Sequence, residues 1–166
     1  MILEPFEEPL PYYLRPLEPL RALTDRLVDR TWKGKPILSV DFDGVLHSYT
    51  SGWKGPRCIP DPPVPGAMEW LRMLIPCPEH QSAMHEDSGP FLVCIFSSRS
   101  RYWGGRKAMR EWLIDHLDYG RVGYMRFPRT KPPSVLSIDD RAFQFCGEFP
   151  LIPKLLEFKP YYKAGG

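Results

Sequence analysis

The chain has 166 residues, which allows one domain with a substantial core and leaves little room for a second. Its formal net charge of +2 is too small to indicate bulk electrostatic binding to nucleic acid or to a membrane surface. The apolar stretches are too short to span a bilayer, no secretory leader pattern opens the chain, and the cysteines lack a disulfide-framework spacing, so we expect a cytoplasmic protein.

The composition of residues 1–35 predicts a proline-rich amino-terminal arm followed by a short helix, outside the globular domain. Prolines recur in its first twenty positions and exclude a continuous helix or a central strand there: Pro5, Pro9, Pro11, Pro16 and Pro19. Apolar residues at helical spacing then predict a short helix from about residue 20 to about residue 30. We expect this arm to be available for contact with a partner protein, and residues 36–166 to form the globular domain.

From residue 36 onward, strand-like and helix-like segments alternate. Apolar runs predict strands at 37–40, 91–96, 122–125 and 134–138. Apolar residues at helical spacing predict helices at 65–75 and 105–117, and the polar, proline-containing stretch 76–90 predicts a loop. Such alternation is typical of an α/β protein with a parallel sheet covered on both faces, so we expect a doubly wound fold.

Polar side chains follow the predicted strands at the points where the strands end: Asp41, Asp43, Ser97, Ser98, Arg99, Asp139 and Asp140. Because the carboxyl ends of parallel strands meet at one edge of a sheet, we expect these side chains to share a pocket with Lys131. Asp41 and Asp43 stand at positions i and i+2, so both carboxylates should point to the same face. Two such charges are costly without a cation or a shared proton, which indicates a metal site or an acid–base pair.

The donor types in this pocket narrow its chemistry. Carboxylates without a histidine or thiol partner favour a hard cation, so Mg²⁺ is a better match than Zn²⁺. Lys131, Arg99 and the serine hydroxyls suit the oxygens of a phosphoryl group. Together these groups predict phosphoryl transfer. A kinase is disfavoured because the chain has no Gly-x-x-x-x-Gly-Lys-Ser/Thr phosphate loop.

Four motifs in this order resemble the phosphohydrolase branch of the haloacid dehalogenase-like (HAD) superfamily. The first is Asp41-Phe42-Asp43-Gly44-Val45 after an apolar strand, and the second is Ser97 after Ile95-Phe96. The third is Lys131 ahead of the last core strand, and the fourth is Ile138 followed by Asp139 and Asp140. The resemblance runs from residue 36 to residue 141, and it implies a Rossmann-like α/β fold.

The resemblance also implies roles for these residues. Asp41 is expected to be the nucleophile that forms an aspartyl-phosphate, and Asp43 the acid and base that serves the leaving oxygen and the attacking water. Ser97 and Lys131 are expected to bind the transferring phosphoryl group. Mg²⁺ is expected on the Asp41 carboxylate, the Asp43 backbone carbonyl and one acid of the Asp139–Asp140 pair, either of which can serve.

The cover of the pocket bears on the substrate. Residues 46–64 are long enough for a small flap but not for a large cap domain, so the site should be open. We expect substrate contacts from Gly44, His47, Trp53, Ser98 and Arg99, although a packing role for His47 is an alternative. Aromatic groups of the flap and basic residues after the second motif suit a nucleotide or a nucleic-acid terminal phosphate, or else form a solvated helix face: Tyr49, Lys54, Arg57, Arg101, Arg106, Lys107 and Arg110.

The sequence also allows two other functions and a second metal site. The same carboxylates could serve a metal-dependent nuclease or phosphodiesterase in which water attacks directly. A catalytically silent binding module with the same fold could dock a partner through the proline-rich arm. Cys77, His80 and His85 loosely resemble a zinc knuckle, but their spacing is incomplete.

Overall fold

The computed structural model describes residues 31–32, 35–75, 89–144 and 146–163. The predicted arm, the helix predicted near residues 20–30 and most of the predicted loop at 76–90 lie outside the described residues. Cys77, His80 and His85 lie in that same undescribed part of the chain, so the zinc-knuckle alternative stays a prediction.

The described residues contain four strands: β1 (Thr31–Trp32), β2 (Lys35–Val40), β3 (Leu92–Ile95) and β4 (Leu136–Ile138). The central strand β2 pairs in parallel with β3 on one side and with β4 on the other, while β1 pairs antiparallel with the start of β2. In register, Val40 lies opposite both Ile95 and Ile138. The residues that follow these three strands therefore emerge at one edge of the sheet, as their order predicts.

Four helices belong to the described part: α1 (Ala67–Leu74), α2 (Gly105–His116), α3 (Tyr119–Tyr124) and α4 (Ile152–Leu156). Single 3₁₀ turns lie at Ser98–Arg101 and Tyr161–Lys163. The helices predicted at 65–75 and 105–117 are confirmed as α1 and α2, and the fold is a mixed α/β fold around a three-strand parallel sheet. Among the described helices, none combines the length and the apolar character that crossing a bilayer requires.

The strand predicted at 122–125 is wrong, because this segment is helical in α3. The Asp118 carboxylate accepts a hydrogen bond from the Arg121 backbone N–H at 2.7 Å. It also forms an ion pair with Arg121 Nη1 at 2.6 Å. This cap satisfies a donor at the start of the helix, while Val122 is buried in the core. Directly after this helix, an isolated parallel bridge joins Arg126 to Cys94 of β3.

The core lies mainly on one face of the sheet. Alternate residues of β2 and β3 belong to one cluster with the buried faces of α1 and α2: Leu38, Val40, Val93, Ile95, Met68, Leu71, Met109, Trp112 and Leu113. The residues between them form a small separate cluster on the opposite face, made of Ile37, Leu92 and Cys94. The helices α1 and α2 thus both pack against the same face of the sheet, the face formed by Leu38 and Val40 of β2.

Candidate active site

Three carboxylates meet where β2 and β4 end. The Asp41 backbone N–H donates to the Ile138 carbonyl at 2.9 Å, which holds the end of β2 beside the end of β4. As a result, ligand oxygens of Asp41, Asp139 and Asp140 lie within 4.8 Å of one another. We call these residues the acid cluster. An ion pair from Arg141 Nε reaches Asp140 only at 3.9 Å.

Within the acid cluster, Asp41 and Asp139 each accept a backbone N–H, from Phe42 and Arg141, whereas Asp140 accepts none. The Asp140 side chain is 2% exposed, and neither of its oxygens has a hydrogen-bond partner. Burial raises the pKa of Asp140 against the opposing charge of Arg141, and the charges of Asp139 and Asp43 add to the rise. Burial also raises the pKa of Asp41 to about 7 against an opposing hydrogen bond from the Phe42 N–H, and the neighbouring carboxylates add to this rise. A bound cation would offset these repulsions.

Asp43 lies outside the acid cluster but close to it, because its charge helps to raise the pKa of Asp41 and of Asp140. The chain leaves the strand after Val40 and turns back: the N–H groups of Leu46 and His47 both donate to the Phe42 carbonyl. Gly44 makes the turn possible with φ of 91°, and its N–H donates to the His47 carbonyl at 2.8 Å. The i, i+2 rule applies to a regular strand, and this segment is a turn.

The Asp43 carboxylate is buried among donors. Arg99 Nε lies 3.0 and 2.8 Å from its two oxygens, His47 Nδ1 lies 2.9 Å away and Ser97 Oγ 3.4 Å away. Burial by itself raises the pKa of Asp43, but the hydrogen bonds from His47 and Arg99 outweigh it and lower the pKa below its usual value. Asp43 is therefore ionised at neutral pH, and the Arg99 guanidinium balances its charge.

Arg99 joins this ion pair to the flap. Its side chain is fully buried, and Nη1 donates to three flap carbonyls, those of Gly55 at 2.8 Å, Pro56 at 3.2 Å and Cys58 at 3.0 Å. The Trp53 ring centroid lies 4.8 Å from the guanidinium carbon. Only Nη2 is left without a hydrogen-bond partner. Any substrate contact by Arg99 is thus limited to Nη2, and the rest of the group holds the flap against Asp43.

His47 has no surface to offer a substrate, so its predicted substrate contact is wrong. The side chain is 0% exposed; its Nδ1 bonds Asp43, and its Nε2 accepts the Asp61 N–H at 3.2 Å. This pattern assigns the proton to Nδ1. The Asp61 carboxylate, which we did not single out from the sequence, accepts from Ser51 N at 2.9 Å and from Ser51 Oγ at 2.5 Å. The prolines around Asp61 indicated only a loop, so no signal identified it.

The remaining predicted residues are placed as follows. Ser97 is buried and caps the 3₁₀ turn, because its Oγ accepts the Arg99 N–H at 3.3 Å while its own N–H donates to Ser100 Oγ at 3.1 Å. Ser98 is exposed in the first position of that turn. Lys131 is also exposed, and it has no hydrogen bond or ion pair within the described part of the chain. Its predicted contact with a phosphoryl group stays a prediction.

No family model, curated protein or solved structure matches this chain. The geometry of the acid cluster and of the Asp43–Arg99 pair therefore has to carry the functional argument.

Proposed function

We propose that this chain is a Mg²⁺-dependent phosphomonoester hydrolase with a doubly wound, HAD-like fold and an aspartyl-phosphate intermediate on Asp41. Its substrate is a nucleotide or a terminal phosphate of a nucleic acid. The observation that carries the proposal is the acid cluster, in which the buried Asp140 carboxylate has no hydrogen-bond partner and lies beside Asp41 at the carboxyl edge of the parallel sheet.

The donor set fits Mg²⁺. All three side chains of the acid cluster offer carboxylate oxygens, and no thiol or imidazole is among them. Asp41, Asp140 and Asp139 would hold the ion, and Asp140 is the best candidate for a direct ligand because its buried charge is otherwise unsatisfied. When bound, Mg²⁺ supplies positive charge that offsets the phosphoryl oxygens and the cluster itself.

Asp41 is the natural nucleophile of this arrangement. One of its oxygens accepts the Phe42 N–H at 2.7 Å, which fixes the orientation of the carboxylate. In the first step the other oxygen would form a bond to phosphorus while the ester P–O bond breaks, and the leaving oxygen departs as an anion that takes its proton from solvent. In the second step water attacks the same phosphorus, releases inorganic phosphate and restores the carboxylate.

The resemblance implies that Asp43 acts both as an acid and as a base, and its surroundings suit the role of base. As an ionised carboxylate it can accept a proton from the attacking water, whereas proton donation to the leaving oxygen requires Arg99 to move off its oxygens first. We therefore expect esters with acidic leaving groups, such as aryl phosphates, to be the better substrates in vitro.

The test is release of inorganic phosphate from an aryl phosphate. We expect Mg²⁺-dependent turnover that EDTA stops, and the Asp41→Asn variant should lose it by about a thousandfold or more. Asp115→Asn is the matched control, because Asp115 is exposed on α2 away from the acid cluster. Turnover that survives Asp41→Asn would rule out the nucleophile, and trapping of beryllium fluoride on Asp41 would support it independently.

A catalytically silent, metal-binding module is the second candidate, and one observation favours it. Arg99 and His47 occupy the Asp43 carboxylate on both oxygens, while Lys131 has no hydrogen bond or ion pair among the described residues. Such a module would bind Mg²⁺ at the acid cluster but release no phosphate from any ester. The phosphate-release assay together with a Mg²⁺ titration separates the two candidates.

A further inference from the structure

A basic groove adjoins the candidate site. It encloses about 840 Å³ between the flap, the 3₁₀ turn at Ser98–Arg101, the first turns of α2 and the chain after α3. Its lining contains six cationic side chains and one acidic one: Arg57, Arg101, Arg106, Lys107, Arg110 and Arg129, with Glu111. The six cations and one acid give this lining a formal charge of +5, whereas the whole chain carries +2, so the groove is much more positive than the chain as a whole.

The fold itself makes little use of these cations. Arg101, Arg110 and Arg129 are exposed, and none of them has a hydrogen bond or an ion pair within the described ranges of the chain. Lys107 forms a single exposed pair with Glu111, at 3.6 Å. A solvated helix face would explain the cations of α2 alone. It does not explain why Arg57 of the flap and Arg129 from beyond α3 converge on the same groove.

Two exposed aromatic rings belong to the same lining. Trp103 is 84% exposed and Tyr102 is 49% exposed, and the Arg57 guanidinium lies 5.2 Å from the Trp103 ring centroid. Gly104 allows this arrangement, because a Cβ at that position would come within 2.7 Å of Arg57 Cδ, and its φ of 77° suits glycine. Exposed rings beside cations suit single-stranded nucleic acid, since bases stack on the rings while phosphates meet the cations.

The groove adjoins the Asp43 side of the candidate site. Ser100 lines the groove, and its Oγ accepts the backbone N–H of Ser97 at 3.1 Å. Ser97 Oγ in turn lies 3.4 Å from an Asp43 oxygen. On the other wall, Arg57 immediately precedes Cys58, whose carbonyl accepts from Arg99. A strand seated in the groove therefore has one end beside the residues that follow β2 and β3.

We propose that the basic groove binds single-stranded nucleic acid and directs its phosphorylated end to Asp41. Cations from four separate segments meet the phosphates, and Trp103 with Tyr102 stack on bases near the end. A cavity of this size takes a short single-stranded piece rather than a whole duplex. The delivery of the end to Asp41 rests on the proposed function, whereas the binding of the strand does not.

The binding test uses the full chain in EDTA with a fluorescent oligothymidine of about 12 nucleotides. Fluorescence anisotropy compares the wild type with Arg101→Gln/Arg110→Gln and with a control of equal charge change, Lys154→Gln/Lys159→Gln, whose two lysines are exposed near the carboxyl-terminal end. We expect the groove variant to bind about tenfold or more weakly and to reduce the magnitude of the slope of log K against log[salt] by about 1.4, or about 0.7 for each arginine removed. The control should bind like the wild type.

A third variant separates stacking from charge. Trp103→Ala should weaken binding about threefold or more while leaving the salt slope unchanged, because it removes a ring and no cation. Equal losses in the groove variant and its lysine control would overturn the proposal. Unchanged binding by the Trp103→Ala variant would also overturn it. So would competition by poly-glutamate as strong as that by unlabelled oligonucleotide, because poly-glutamate has negative charges but no bases to stack on the rings.

The connection to Asp41 has its own readout. For oligonucleotides with a terminal phosphate, kcat/KM relative to that for an aryl phosphate should fall about tenfold in the groove variant. If no phosphate ester is hydrolysed but the oligonucleotide still binds, the proposed function fails while the groove stands. If the aryl phosphate is hydrolysed but the oligonucleotide does not bind, the groove fails while the proposed function stands.

Discussion

Asp41 and Asp43 belong to one motif, stand two residues apart and have opposite electrostatic surroundings. Asp41 lies among carboxylates that repel it, and burial with that repulsion raises its pKa to about 7. Asp43 lies between Arg99 and His47, and their hydrogen bonds overcome burial and lower its pKa. The nearest cation described for the acid cluster is Arg141 Nε, 3.9 Å from an Asp140 oxygen, whereas Arg99 Nε lies 2.8 Å from an Asp43 oxygen.

The comparison teaches how one short motif can serve two purposes. The Asp43 region has its donors and acceptors largely matched, so we expect it to stabilise the fold and to position the flap. The acid cluster is left with unsatisfied buried oxygens, which is what a binding site for a cation requires. Substitutions in the two regions should therefore change stability with opposite signs.

The largest expected effect is on the Asp43 side. Arg99→Met should lower the free energy of unfolding by about 3–5 kcal/mol, because it leaves a buried carboxylate without its guanidinium partner and three flap carbonyls without their donor. Urea denaturation measures this loss. Arg101→Met, exposed in the same turn, is the control and should stay within about 0.5 kcal/mol.

A second substitution keeps this prediction testable if Arg99→Met does not fold. Adding Asp43→Asn removes the stranded charge, so the double variant should recover part of the lost stability. A loss below about 1 kcal/mol in Arg99→Met, or no recovery in the double variant, would contradict the view that the ion pair holds this region together.

The next effect is on the acid-cluster side. Asp140→Asn should leave the metal-free protein as stable as the wild type or more stable, because burial disfavours this charge more than Arg141 offsets it. The same change should weaken Mg²⁺ binding on the order of tenfold or more, seen as a smaller rise of Tm with added Mg²⁺. Asp115→Asn should keep the full Mg²⁺ response. An Asp140→Asn protein that is both less stable and fully responsive would contradict the site.

The dependence of Mg²⁺ affinity on pH should follow Asp41. With a pKa of about 7 in the metal-free protein, Asp41 carries a proton below neutral pH that the ion must displace. Affinity should fall by about tenfold for each pH unit below 7 and level off above it. Isothermal titration in buffers of different ionisation enthalpy should show about one proton released at pH 6 and almost none at pH 8. A flat profile would contradict the raised pKa.

Stability without metal should show the two carboxylates acting in opposite directions. For Asp41 the pKa in the folded state lies above the ordinary value of 3.8. Between about pH 4 and about pH 7 the folded state therefore keeps a proton that the unfolded state has lost, and stability falls as pH rises through this range. For Asp43 the folded pKa lies below 3.8, so its contribution is present above about pH 4 and is lost as pH falls. Urea denaturation over this range should show that Asp41→Asn removes the first trend and keeps the second.

The smallest expected effect is at the end of the Asp43 network. Ser51→Ala removes the hydroxyl that donates to the buried Asp61 carboxylate and should cost about 1 kcal/mol of unfolding free energy. Ser98→Ala, whose hydroxyl is exposed, should change it by less than about 0.5 kcal/mol. Equal effects of the two substitutions, measured by urea denaturation, would show that Asp61 does not depend on this bond.

Part of the fold and of the site could be predicted because it depends on local pattern. The apolar runs before Asp41 and Ser97 predict β2 and β3, and helical spacing predicts α1 and α2. Parallel strands end at one edge, so the meeting of Asp41 with Asp139 and Asp140 follows from the order of elements. The helix α3 could not be predicted this way, since the Asp118 cap overrides the strand-like run at 122–125.

The sequence by itself determined which residues leave the parallel strands, and so which carboxylates could form the acid cluster. Only the tertiary structure decided where Asp43 points, because the turn at Phe42 takes it out of strand geometry. It also decided the role of Arg99, whose bonds to Asp43 and to the Gly55 carbonyl span 56 and 44 residues along the chain. Side-chain periodicity reports neighbours within one element, whereas such pairings depend on how a loop closes over a sheet edge.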